Sequence, residues 1–237
     1  MQTLAIPIIA IRTVTPFFDY REAGNMISAL LALALAAPQP IRPDEWIGPN
    51  DYPSDALREN RSGHTAFRLT ISPSGRPIRC DVTASSGWED IDQQSCRGMM
   101  KRARFKPILD GNGAPAYAVY RSSRSFWIPG EAPPRTPKPS RTDLLVTVEK
   151  MPKGRAQPAD VDVAFTVDGN GAMADCTPYL TDTAGQTADA PRAMALFGAV
   201  ACGELAKSYR PTPALDEGGR PVPSVQTARV SFVQAAE

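Results

Sequence analysis

Apolar and polar positions alternate at Phe67, Leu69 and Ile71 and again at Ile78, Cys80 and Val82, the period of strands with one buried face. Ser-Pro-Ser-Gly at 72–75 lies between them, so 65–72 and 76–84 predict a β-hairpin. The period then becomes helical. Ile91, Cys96, Met99, Met100 and Ala103 share one helix face, and Asp90 followed three residues on by Gln93 has the form of a capping box, which predicts a helix over 91–104. Its other side carries Arg97, Lys101, Arg102 and Arg104, with Lys106 beyond the end. Pro107 stops the helix, 110–113 turns the chain, and 117–127 reads as a third strand. Farther on, 144–148 is a short apolar stretch, 160–167 alternates, Asp168-Gly169-Asn170-Gly171 is a hairpin turn, 193–207 is a helix and 224–233 a last strand. Asp51 to Leu57 allows a short helix after Pro53, and 178–190, rich in Thr, Ala and Asp, reads as a surface loop.

Much of this pattern occurs twice. A shift of 96 residues places Phe67, Leu69, Ile71, Gly75 and Cys80 on Val163, Phe165, Val167, Gly171 and Cys176. A shift of 106 places Cys96, Pro107, Leu109, Asp110, Gly113, Pro115, Val119, Ser125 and Phe126 on Cys202, Pro213, Leu215, Asp216, Gly219, Pro221, Val225, Ser231 and Phe232. The chain therefore reads as an α+β protein of two tandem small domains, each a three-stranded antiparallel sheet with one or two helices on one face. The boundaries are 50–130 and 142–237, joined by a semi-rigid linker at 131–141 that holds Pro133, Pro134, Pro137 and Pro139.

Upstream, 26–37 is an apolar run followed at once by Pro38, too short for a bilayer span of about 20 residues but suited to a secretory signal. Ala34-Leu35-Ala36 offers a cleavage site, Met26 is the expected true start, and 1–37 is read as an over-extended start plus signal peptide, with 38–49 a polar lead-in. The alternative is an uncleaved anchor that also uses the apolar residues 4–11.

The four cysteines fall at paired positions in the two copies, no Cys-x-x-Cys occurs, and His64 is the single histidine, so a zinc site has little to be built from. Disulfides Cys80–Cys96 and Cys176–Cys202 are the economical reading and imply an oxidising compartment; buried free thiols are the alternative. Formal charge is near neutral at +1, but 48–141 holds 15 basic against 9 acidic residues and 142–237 holds 8 against 12. Opposite signs could hold the copies together or send them to different partners, or be two solvated faces. No nucleophile with a base, metal cluster or phosphate loop emerges: Gly169-Asn170-Gly171 lacks a following helix, Asp90 and Asp92 read as a cap, and Asp216 and Glu217 as a turn. An enzyme, a cofactor and nucleic acid are therefore not expected.

Tyr52-Pro53, the hairpin around Gly75, Ser85-Ser86-Gly87 before a helix, Arg104-Phe105-Lys106-Pro107, Gly113-Ala114-Pro115 and Ser125-Phe126-Trp127, in this order, resemble the C-terminal domain of the TonB energy transducers. The second copy matches less completely, through Tyr209-Arg210-Pro211 and Gly219-Arg220-Pro221, without a Tyr-Pro at its start. The resemblance implies a periplasmic domain that adds a short extended segment of an outer-membrane receptor, the TonB box, as a strand to an exposed sheet edge. That edge would be 117–124 in the first copy, with Tyr117, Val119, Arg121 and Arg124, and 224–230 in the second, with Val225, Thr227 and Arg229. Tyr52 and Pro53 match the stretch near the receptor, or else staple a Pro-initiated helix to the core. Transducers of this family also carry an uncleaved membrane helix and a spacer able to cross the periplasm. Here the lead-in reaches roughly 40 Å at about 3.5 Å per residue. A periplasmic protein-binding protein with an envelope or outer-membrane partner is thus the expectation, with no membrane insertion after signal cleavage and a homodimer open. A membrane-anchored transducer and a rigid envelope spacer without peptide binding are the alternatives.

Overall fold

The computed structural model describes residues 35–128, 130, 142–152, 158–180 and 190–235. The expected signal segment up to residue 34, the Pro-rich linker 131–141 and most of the Thr/Ala/Asp-rich loop lie outside the described residues.

The hairpin forms as expected from β1 (Gly63–Ile71) and β2 (Pro77–Ala84), which pair antiparallel with Leu69 opposite Cys80. Gly75 sits in its turn at φ 81°, and a Cβ there would meet the Phe105 carbonyl oxygen at 2.1 Å, so both backbone sign and space require glycine. After a short helix α1 (Ser54–Arg58) and two 3-10 turns, the main helix of the first half is α2 (Glu89–Arg102). Its start differs from the capping-box expectation. Trp88 holds the cap position without a side-chain bond, and Asp92 instead reaches back to the Ser86 amide (2.9 Å), Ser85 Oγ (2.5 Å) and Thr65 Oγ1 (2.7 Å). That carboxylate ties the helix start to β1 and to the loop between sheet and helix. The basic side of α2 is partly spent on the lead-in, because Arg102 donates to the Trp46 carbonyl (2.5 Å) and to Asp51 (2.6 Å). Strand β3 (Tyr117–Phe126) then pairs with β1 along its whole length.

The second half runs β4 (Leu144–Val148), β5 (Ala159–Val167), β6 (Met173–Tyr179), α3 (Ala190–Ser208), β7 (Ala214–Leu215), β8 (Pro221–Val222) and β9 (Ser224–Gln234). The turns echo those of the first half. Asp110 Oδ1 accepts the amides of Asn112 and Ala114, and Asp216 Oδ1 accepts those of Gly218 and Arg220, with Gly113 at φ 79° and Gly219 at φ 77°.

Instead of two separate three-stranded sheets, the strands form one, in the order β2-β1-β3-β9-β5-β6, with β4 also on β9. The junction is a short parallel contact, Tyr117 opposite Ser224 and Ala118 opposite Val225. Parallel meeting of two like halves amounts to a rotation about an axis along the strands, which turns one half over. Accordingly α2 and α3 lie on opposite faces. Phe67, Leu69, Ile71 and Ala118 under α2 share their core with Ala164 and Val225. Val163, Phe165, Ala228 and Phe232, on the other face of the second half, pack with Ala193, Ala201 and Leu205 of α3. Phe197 of α3 stacks on Phe232 with ring centroids 4.5 Å apart. No helix of the described residues is long and apolar enough to cross a membrane.

Cys80 is joined to Cys96 and Cys176 to Cys202, each with Cα atoms 5.7 Å apart, so one bridge staples α2 to β2 and the other α3 to β6. In the chain-entropy view these loops contribute about 3 and about 3.5 kcal/mol. Replacing either pair by serines is therefore expected to lower unfolding free energy by about 3 kcal/mol in denaturant titrations. Asp92 yields a second expectation. Burial opposes its charge, but the bonds from Ser85, the Ser86 amide and Thr65 outweigh that and hold its carboxyl below the usual range. A depressed folded pKa gives stability that is complete above the unfolded value near ~3.9 and is lost as pH falls through the folded one. Asp92→Ala is expected to cost roughly 3 kcal/mol at neutral pH by stranding buried donors. It should also flatten the acid limb of the stability-pH curve, followed by circular dichroism.

Candidate strand-docking edge

A strand that accepts another strand needs a row of unpaired backbone groups, so the sheet's edges are the places to look. The two outermost strands are poorly suited. β2 begins with Pro77 and carries an Arg79–Asp81 ion pair (2.8 Å). β6 contains Pro178, which has no N–H, and is distorted at Asp175, whose φ is 50°. Prolines, charges and bulges are the usual means by which natural edges are kept from pairing.

The predicted edge 224–230 is not open: β9 lies between β5 and the pair β3 and β4. Val225 is fully buried opposite Ala118, and Thr227 and Arg229 pair with Ala164 and Asp162 on the β5 side. The physical reason is that β9 lies inside the sheet, where β5 bonds one row of its backbone groups and β3 and β4 bond the two ends of the other. On the outer side Arg121 fills the gap where β3 parts from β9. Its guanidinium donates to the Thr227 carbonyl (2.7 Å) and forms a two-pronged ion pair with Asp143. Asp143 in turn accepts the Arg229 amide (2.8 Å) and donates its own amide to the Arg229 carbonyl (2.9 Å). The Arg229 side chain turns away to Asp162, at 2.7 and 2.8 Å. From Leu144 to Val148 the ladder with β4 takes over, opposite residues 230–234.

The first-half edge is different. Tyr117 is spent on Ser224, and Val119 is buried toward the α3 side, 2% exposed. Among the described residues no strand pairs with β3 beyond Ala118 on the side away from β1. Arg121 to Ser125 therefore form a run without proline, with Ser122, Ser123 and Ser125 as small side chains. Arg124 turns toward the α2 face, where it donates to the Ile47 carbonyl (2.5 Å). Tyr52 buttresses the end of this strand: its ring meets Phe126 edge-on at 5.2 Å and its hydroxyl donates to the Arg61 carbonyl (2.7 Å). Pro53 stands at the start of α1. Tyr52 and Pro53 thus sit at the strand's end as packing groups.

Sequence reasoning missed Arg68, Asp143 and Tyr179. Arg68 on β1 crosses to the carbonyls of Thr212 (2.6 Å) and Pro213 (2.8 Å), joining the halves on the α3 face. Tyr179 lies on the α2 face beside Asp162 and Arg229, opposite Asp162 in the β5–β6 ladder. Burial, helped by the Asp162 charge, pushes its phenol up to about 12. Only the net acid-base asymmetry of the halves hinted at such a seam. Because the folded pKa is raised, the neutral phenol contributes stability that is complete below the unfolded value near ~10 and is lost as pH climbs from there through about 12. Burial also raises the phenols of Tyr52 and Tyr209, so a spectrophotometric tyrosinate titration is expected to show several late-ionising groups, of which the one near 12 vanishes in Tyr179→Phe. That variant should also retain more of its stability across this alkaline window.

Among the described residues no group of three or more His, Cys, Asp and Glu side chains could hold a metal ion. His64 faces Ser125 across β1 and β3, with Nδ1 2.5 Å from Oγ. A comparison with curated proteins finds no match. The family model of the Gram-negative bacterial TonB protein C-terminal matches residues 49–124, so the first half, from the 3-10 turn Pro49–Asp51 into β3, is similar to the TonB C-terminal domain.

Proposed function

We propose that this is a protein-binding protein of the periplasm. Its first half captures an extended segment of an envelope protein, such as an outer-membrane receptor, by adding it as a strand to the outer side of β3. The observation that carries the reading is the half-used edge: β3 is paired with β1 throughout, but with β9 only at Tyr117 and Ala118. Backbone groups from Arg121 to Ser125 then supply affinity with little demand on sequence, as strand addition does. The family match ends at residue 124, within this run. Two disulfides fit an oxidising compartment. The second half is read as a divergent copy of the first, built on the same turns and the same staple, whose own edge is closed. Binding rather than catalysis is the proposed activity.

One observation favours a second reading, a rigid envelope spacer: the two halves already use part of their edges on each other at the junction. Titrating isotope-labelled protein with TonB-box peptides separates the two. Strand addition is expected to shift the amides of 121–125 and leave those of 225–230 in place. Amides of 121–125 that stay unmoved at millimolar peptide favour the spacer and sink strand addition at this edge.

A further inference from the structure

β4 is an unusual strand. It is five residues long, pairs among the described residues with β9 alone, and runs parallel to it. Nothing in the first half corresponds to it: 96 residues earlier lie 48–52, which contain the 3-10 turn Pro49–Asp51. Its attachment is nonetheless complete. Asp143 clamps the start through the backbone of Arg229 and the guanidinium of Arg121. Five residues then form a ladder with 230–234, and the Ala235 amide closes the far end on the Val148 carbonyl (2.9 Å). Val146 and Val148 face the α3 core, 6% and 7% exposed, while Leu145 points outward, 59% exposed. This is the arrangement of a peptide added to an edge: a charged anchor, backbone bonds, and alternate side chains packed on the apolar core under α3.

We infer that β4 is an in-built ligand. The outer side of β9 is a strand-accepting site, held closed by the chain's own residues 143–148. It is open to exchange for an extended peptide of the same chemistry, an acidic residue followed by alternating apolar residues, running parallel to β9. The inference borrows from the proposed function the mode of strand addition, but concerns a different edge. Tethering explains why the site is closed at rest. A strand on a short tether has an effective concentration on the order of millimolar, so a free peptide of equal intrinsic affinity at roughly 10 μM displaces it from about one molecule in a hundred. Weakening β4 removes that advantage without changing any residue of β9.

The test uses the full chain and a synthetic peptide of residues 142–150, with an Asp-to-Asn version and a scrambled version as controls. In Val146→Asp the buried valine is lost from β4 but β9 is unchanged. Amide exchange at Ser231, Val233 and Ala235, whose N–H groups point to β4, is expected to speed up at least tenfold, and the peptide at tens of micromolar should restore the slow rate. Fluorescence anisotropy should show that the peptide binds the variant at least tenfold tighter than the wild type, and the Asn and scrambled versions at least fivefold weaker than the parent. Should Val146→Asp not fold, Asp143→Ala, which loosens the anchor and keeps the core valines, undergoes the same measurement. The wild type at millimolar peptide supplies a third. If Ser231, Val233 and Ala235 stay fast while β1 and β5 remain protected, or if the scrambled peptide does as well, the inference fails. Restoration without peptide, together with sedimentation as a dimer, identifies a second copy's β4 as the occupant and overturns the choice of a free peptide. All these readouts fall on β9, so a failed titration of 121–125 on β3 leaves them intact and the converse holds.

Discussion

An inner strand has two rows of backbone donors and acceptors to satisfy, and a row left unpaired in a desolvated place costs more than most side-chain contacts return. β9 is such a strand, and its outer row draws on four sources. These are the start of β3, the Arg121 guanidinium at Thr227, the Asp143 backbone and carboxylate at Arg229, and β4 for the rest. The joining of the halves follows from that requirement. Without Arg121 and Asp143 there would be a gap in the row where β3 and β4 part company, and the two strands could not share one neighbour.

The same constraint explains the asymmetry of the two halves. Both present a last strand in the same local setting, after an Asp-anchored turn with a left-handed glycine. Among the described residues, one of these strands has its outer side filled along its length, and the other is paired there at its first two residues. Turning one half over about an axis along the strands lets β3 and β9 touch in parallel and sends the helices to opposite faces. Each core is then closed by its own helix and its own disulfide. Among the described residues the middle of β3 has no proline and no strand on its outer side, which is the ground for the proposed docking edge.

Much of the local structure was legible in the residues. The alternation at Phe67, Leu69 and Ile71, the helical spacing of Ile91, Met99 and Ala103, the glycine turns and the cysteine pairing all report forces that act within one hairpin or between a helix and the strand beneath it. The start of α2 was less legible. Asp90 and Asp92 both look like caps in one dimension, and the choice of Asp92 for the Ser86 amide depends on Thr65, 27 residues away. The Arg121–Asp143 pair was invisible for the same reason: the two are 22 residues apart across a linker, and each reads as an ordinary solvated charge.

The sequence by itself thus determined the α+β elements, the echo of one half in the other and the two staples, because each depends on neighbours that periodicity and spacing place side by side. That the outer side of β9 is covered was decided only by the tertiary structure. Strands β3 and β9 both follow a glycine turn and share Val119/Val225, Ser125/Ser231 and Phe126/Phe232, and β9 is the more apolar of the two, but neither pattern names the segment that will lie against its outer side. That depends on backbone hydrogen bonds to distant segments, and backbone groups are identical in every residue but proline. The strand that looked like a second binding edge is instead the one the protein has already covered with its own β4.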